Sequence, residues 1–192
     1  VIGVAPQRRL PVFASQTFKE WFRQRGVRNP GAPKVILWPD TFNNYLHPET
    51  LQAGVEVLEA AGYQVVVPEQ SLCCGRPLYD FGMLDTAERL LRQILRTLEP
   101  EITAGTPIVG LEPSCVAVFR DELTNLFPHD ENARRLKKQV FVLSEFLEKV
   151  QWRGIAERSP LQRKAVVHMH CHHKAIMRTV PEEAVLKKLG LD

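Results

Sequence analysis

The stretch Val65-Val66-Val67-Pro68-Glu69-Gln70-Ser71-Leu72-Cys73-Cys74-Gly75-Arg76-Pro77 decides how the rest of the chain is read. Three consecutive β-branched residues form a short buried strand, and the polar stretch after them is the loop that leaves it. A helical pattern follows. Two adjacent thiols and a glycine therefore fall where open α/β sheets keep their ligands, beyond the carboxyl end of a strand. The other two cysteines, Cys115 and Cys171, each follow an apolar run of the same kind. All four are expected on one sulfur-rich rim.

Outward from that loop, strands and helices alternate. Val35-Ile36-Leu37-Trp38, Tyr63 to Val67, Pro107 to Leu111, Val140 to Leu143 and Lys164 to Val167 read as strands. Thr17-Phe18-Lys19-Glu20 is a capping box for a short helix with Phe18, Trp21 and Phe22 on one face, ending near Gly26. A helix from Pro48 to Ala61 carries Leu51, Val55 and Leu58 and stops at Gly62. Asp85 caps the next, which carries Leu90, Leu91, Ile94 and Leu98; another runs from Pro113 through Leu123. Part of 128–138 is helical, Ser144 caps a helix with Phe146 and Leu147, and the last helix spans about Pro181 to Leu189. Such alternation predicts an α/β fold: a mostly parallel sheet flanked by helices.

The pattern also repeats. Lys34-Val35-Ile36-Leu37 and Lys164-Ala165-Val166-Val167 each open a strand, followed by a polar loop and a helix started by proline. Each helix closes on a leucine four residues ahead of a glycine, Leu58 to Gly62 and Leu186 to Gly190. One complete βα repeat unit and the start of a second, truncated one from about residue 163 are expected. Residues 1–32 read as a linker and a short amphipathic helix, and 33–192 as a cysteine-rich α/β domain. The chain begins without Met and stops at Gly190-Leu191-Asp192, so it reads as a piece of something longer.

With 192 residues, 44% of them hydrophobic, the chain can bury one substantial core. A net charge of +3, with acids and bases interleaved, gives no footprint for nucleic acid. No stretch approaches a transmembrane segment, and the first residues lack the pattern of a signal peptide. Four cysteines are too few for a disulfide scaffold. Metal-binding or redox thiols in a reducing compartment, hence a cytoplasmic location that includes the inner face of the membrane, are the expectation.

Thiols near helix N-termini are eased toward the thiolate that ligates metals. Cys73, Cys74 and Cys115 are accordingly candidate ligands, although small buried cysteines would look the same in sequence. Cys115 could also be a displayed nucleophile, but no base accompanies it. His168, His170, Cys171, His172 and His173 offer imidazole and thiolate donors suited to zinc; a polar loop of unligated histidines is the plainer reading. His47 and His129 read as solvated and Trp38 as core. Arg76 either offsets thiolate charge or makes a salt bridge.

At these residues the chain resembles a known family. Cys73-Cys74-Gly75, then Glu112-Pro113-Ser114-Cys115, then His170-Cys171-His172-His173-Lys174, resemble the cysteine-rich CCG domain of heterodisulfide reductase and of the glycolate oxidase iron–sulfur subunit. Leu37-Trp38-Pro39-Asp40-Thr41-Phe42-Asn43-Asn44-Tyr45 with Gln70 to Asp80 is most like the C-terminal part of single-chain FAD-linked oxidases of the D-lactate dehydrogenase type.

The resemblance implies an iron–sulfur electron-transfer module of an FAD-linked oxidoreductase acting on D-lactate, glycolate or another 2-hydroxy acid. Cys73, Cys74, Cys115 and Cys171 stand at its cofactor-binding positions. Zinc held by those cysteines with His170 and His172 is the alternative, as is a degenerate docking domain with no cluster. FAD would belong to the parent protein, since this chain has no Gly-rich phosphate loop. The chain alone would not be catalytic, and its partners would be flavin and ferredoxin-like domains of the same polypeptide or complex. In the first repeat Thr41 stands where the family's leading cysteine belongs; in the second, Cys171 matches that cysteine. Asp40, Thr41 and Glu112 are the possible oxygen ligands.

Overall fold

A computed structural model describes residues 5, 7–152, 154, 160–177 and 179–192. In chain order the elements are α1 (Phe18–Gln24), β1 (Lys34–Trp38), α2 (Thr41–Tyr45), α3 (Pro48–Ala60) and β2 (Gln64–Val66). Then come α4 (Arg76–Asp80), α5 (Leu84–Thr97), α6 (Glu99–Thr103), β3 (Ile108–Gly110), α7 (Pro113–Arg120) and α8 (Glu122–Leu126). Next are α9 (Glu131–Gln139), β4 (Val140–Val142), α10 (Leu143–Lys149), a π-helical turn (His173–Met177) and α11 (Val180–Lys188).

The strands form one parallel sheet in the order β2-β1-β3-β4. Side chains alternate across a strand, so β1 feeds both faces. Val35 and Leu37 join Phe18, Leu51, Val55, Leu58, Val65, Val109 and Phe146 under α1, α3 and α10. Ile36 and Trp38 pack on the other face with Leu91, Ile94, Ile108, Val116, Phe119 and Val140, under α5, α7 and α9. Trp38 meets Phe119 edge-to-face at 5.0 Å between centroids, which bears out its reading as core. Arg120 donates to the Val140 carbonyl and the Glu145 carboxylate, tying α7 on this second face to β4 and to α10 on the first.

The capping box forms as expected: the Thr17 hydroxyl accepts from the Glu20 amide and the Glu20 carboxylate from the Thr17 amide. Elsewhere the local signals mislead. Asp85 lies within the first turn of α5, whose cap position is Met83. Ser144 lies within α10; Glu145 accepts from the Val142 amide and closes that turn instead. The helix expected through Leu123 breaks at Asp121, where ψ is −75°.

The largest departure is at 164–167, which is not a strand. The single bridge there joins Arg163 to Leu191, and the Ala165 amide donates to the Asp192 carbonyl. Val166 is fully exposed. Its β-branched pattern needs a neighbouring strand, and among the described residues it has only the chain's own last residues beside it. The linker expected over 1–16 and the charged connection over 153–163 fall partly outside the described residues, at 1–4, 6, 153 and 155–159.

Candidate metal centre

Three loops leaving β1, β2 and β3 build the site. β1 lies between β2 and β3, so the chain reverses its direction of travel across the sheet there, the crevice where open α/β sheets bind ligands. After β1, Asp40 caps α2 by accepting from the Asn43 amide at 3.0 Å, which fixes Thr41 as the first residue of that helix. After β2 the loop runs to Gly75, whose φ of +78° turns the chain into α4. After β3 the Glu112 carboxylate accepts from the Ser114 amide at 3.1 Å and its hydroxyl at 2.6 Å. That cap starts α7 and sets Cys115 in its first turn.

The result is a row of sulfurs. Cys74 Sγ and Cys115 Sγ lie 3.1 Å apart, both buried within the core face that holds Trp38. Cys73 is half-buried, and its thiol meets Cys74 on one side and the Thr41 hydroxyl on the other. Backbone amides point at the row: Gly75 N–H donates to Cys73 Sγ at 3.5 Å, and Arg76 N–H faces the Cys74 sulfur. Successive amides around a left-handed residue form a concavity suited to anionic sulfur.

Without a cation Cys73 and Cys74 keep their protons. The hydrogen bond to Cys115 raises the Cys74 thiol to about 12; burial adds to the rise and the bond from Cys73 opposes it. Cys73 is pushed up as well, first by its hydrogen bond to Cys74 and then by burial, against the pull of the Gly75 amide and Thr41. Asp40, 2% exposed, is lifted above the ordinary carboxylate range by burial, and the neighbouring Glu112 charge adds to that. Thiols and carboxyl thus crowd a space that favours protons or a bound cation.

Cys73, Cys74 and Cys115 are therefore brought together, with Thr41 beside Cys73. Cys171 is not: it is exposed, and makes no hydrogen bond to the other three among the described residues. The segment before it is no strand, so the expected four-cysteine rim reduces to three. Cys171 forms its own group with His170 and His172, one ligand atom from each lying within 4.8 Å of the others. His173 is buried, and its Nε2 has no partner among the described residues. Arg76 sends its guanidinium to Glu122 and to Asp80 at 3.0 Å, so the salt-bridge reading holds for the side chain while its amide serves the sulfur. His47 is exposed beside Glu49, as expected.

Lys19 and Asn44 escaped sequence reasoning. The Lys19 ammonium donates to the carbonyls of Glu69 at 2.7 Å and Gln70 at 2.9 Å, in the loop ahead of the cysteine pair. Its amide donates to Asn44 Oδ1 at 3.1 Å. Lys19 sits inside the capping box, and its partners are 50 and 51 residues away, so no local pattern marks it.

Fold and site together define a cysteine-rich parallel α/β domain. Residues 40–120 match the family model described as CCG, cysteine-rich domain, and this segment belongs to that family. Over 97% of its length the chain is 26% identical to a subunit of the anaerobic glycerol-3-phosphate dehydrogenase of Escherichia coli, covering 48% of that protein. It is 32% identical to lactate utilization protein A of Halalkalibacterium halodurans over 72% of the chain and 56% of the relative. Against the Bacillus subtilis protein of the same name the identity is 30%, over 72% and 58%. The chain spans about half the length of these relatives. No solved structure matches it.

Proposed function

We propose that the chain is an iron–sulfur electron-transfer module of a multi-component oxidoreductase, with Cys73, Cys74 and Cys115 as cluster ligands. The observation that carries this reading is the sulfur row itself, with Cys74 and Cys115 3.1 Å apart and Cys73 adjoining. Three thiols and two backbone amides around one crevice fit a thiolate-ligated cluster, with Thr41 or Asp40 able to supply oxygen beside Cys73. A bound cluster would supply one-electron transfer; the chain's residues would hold it, keep water from Cys74 and Cys115, and offset charge through the Gly75 and Arg76 amides.

The relatives' names support an oxidoreductase setting. The finer reading places the domain of 33–192 in an FAD-linked 2-hydroxy-acid oxidase, following a linker and short amphipathic helix over 1–32, beside flavin and ferredoxin-like partners and within the cytoplasm. Among the described residues, no helix is long and apolar enough to cross a membrane.

The test is iron and acid-labile sulfide content, with the visible spectrum, of the protein purified without oxygen, beside a Cys73→Ser/Cys74→Ser variant. Iron, sulfide and broad absorption that fall together in the variant are expected. Equal content in both proteins would overturn the assignment. The His170, Cys171 and His172 group favours a second reading, zinc held apart from the row by thiolate and imidazole. Zinc that survives the double substitution and is lost in Cys171→Ser would identify it.

A further inference from the structure

A cavity of about 250 Å³ opens on the solvent side of Cys73, lined among others by Lys19, Thr41, Asn44, Tyr45, Ser71 and Cys73. Lys19 is its one charged lining residue. An ammonium has three hydrogens, and the loop carbonyls of Glu69 and Gln70 take two of them. Asn44 is 4% exposed, and its Oδ1 accepts from the Lys19 amide. Its Nδ2 has no hydrogen-bond partner among the described residues, yet the side chain lines this cavity. The Tyr45 and Ser71 hydroxyls are likewise unpaired among the described residues. Leu72 and Leu90 supply an apolar wall.

A buried amide donor, a cation with a hydrogen to spare and two hydroxyls, with no acidic side chain in the lining itself, describe a receptor for an oxyanion. The opposite charges of Arg23 and Glu69 both lie near Lys19, so its own ammonium is the cation the cavity offers. No arginine lines the cavity and no helix N-terminus of useful length faces it, so the fork and amide array that a phosphate dianion favours are missing. Two principal donors, one cationic, match the two oxygens of a carboxylate, and the leucines suit a short carbon chain.

We infer that this cavity binds a small organic carboxylate beside Cys73, anchored by Lys19 and Asn44. The helix that carries Lys19 precedes the segment matching the family, so this site draws on residues outside that segment. It goes beyond the electron-transfer reading and does not need a cluster to be present.

The test exploits the neighbouring thiol. Iodoacetate and iodoacetamide differ only in carrying a carboxylate or an amide. Both alkylate the thiolate, the minor form of Cys73 once its proton has passed to solvent, by forming an S–C bond as iodide leaves, and the ratio of the two rates cancels the thiolate fraction. The full chain, freed of metal by a chelator, is labelled with each at mildly alkaline pH, and modification at Cys73 is followed by peptide mass spectrometry. Relative to a small free thiol, Cys73 is expected to prefer iodoacetate by about tenfold, the effect of ~1.4 kcal/mol of carboxylate binding. Acetate is expected to slow iodoacetate labelling, and inorganic phosphate at equal concentration to leave it unchanged.

Lys19→Met is expected to abolish the preference. Ser71→Asp, at an exposed position, is expected to do the same should the lysine variant fold poorly. A rate ratio equal to that of the free thiol, or one that neither acetate nor either variant alters, would overturn the inference. Protection by phosphate stronger than by acetate would also overturn it. Because the chain is metal-free, these outcomes are independent of the iron and sulfide measurement.

Discussion

Cys74 shows how position changes the chemistry of one residue. Its thiol shares a hydrogen bond with Cys115 in a buried site, and its folded-state pKa rises to about 12 from the ordinary value of 9.0. A group whose pKa is raised by folding contributes stability that is present below the unfolded pKa and lost as pH rises through the folded one. For the metal-free protein, stability is thus expected to fall as pH climbs from 9.0 toward about 12. Urea denaturation on either side of pH 9.0, with Cys74→Ala as reference, checks this; a slope unaffected by the substitution would contradict it. At this scale the cysteines were legible, because Cys-Cys-Gly after a β-branched run is a strong local pattern. Thr41 was legible only through the repeat. Lys19 was not legible, since nothing near it in sequence records contacts 50 residues away.

Among the elements, the turn from the β2 loop into α4 depends on Gly75. Its φ is +78°, and a Cβ there would sit 3.5 Å from Ala87 Cα, so the space is ordinary and the backbone conformation is the obstacle. Gly75→Ala is expected to cost about 1–2 kcal/mol, the left-handed penalty for an L-residue. The loss would be read as a lower urea midpoint, together with faster alkylation of Cys73 as its loop loosens. An unchanged midpoint would show that the loop adopts another path at no cost. The long helices α3 and α5 and the strands announced themselves by apolar periodicity, whereas α2, α4 and α6 are five residues each, too short for a period to show. Lys164 to Val167 failed for the opposite reason: it has a strand's composition without a strand's neighbour.

As a whole the molecule has two apolar layers that share β1, with Val35 and Leu37 in one and Ile36 and Trp38 in the other. Damage to one layer therefore reaches the thiols of the other. Leu58, on the inner face of α3, is fully buried in the layer opposite the cysteines. Leu58→Ala is expected to cost about 2–5 kcal/mol through lost burial and the cavity it leaves. Tryptophan fluorescence and circular dichroism should follow one coincident unfolding transition; two separated transitions would show that the layers melt independently.

The sheet's outer strands, β2 and β4, are each three residues long. An edge of that length offers an incoming strand too few free amides and carbonyls to template lateral growth. Short outer strands thus limit strand-on-strand aggregation at the margins of the described sheet.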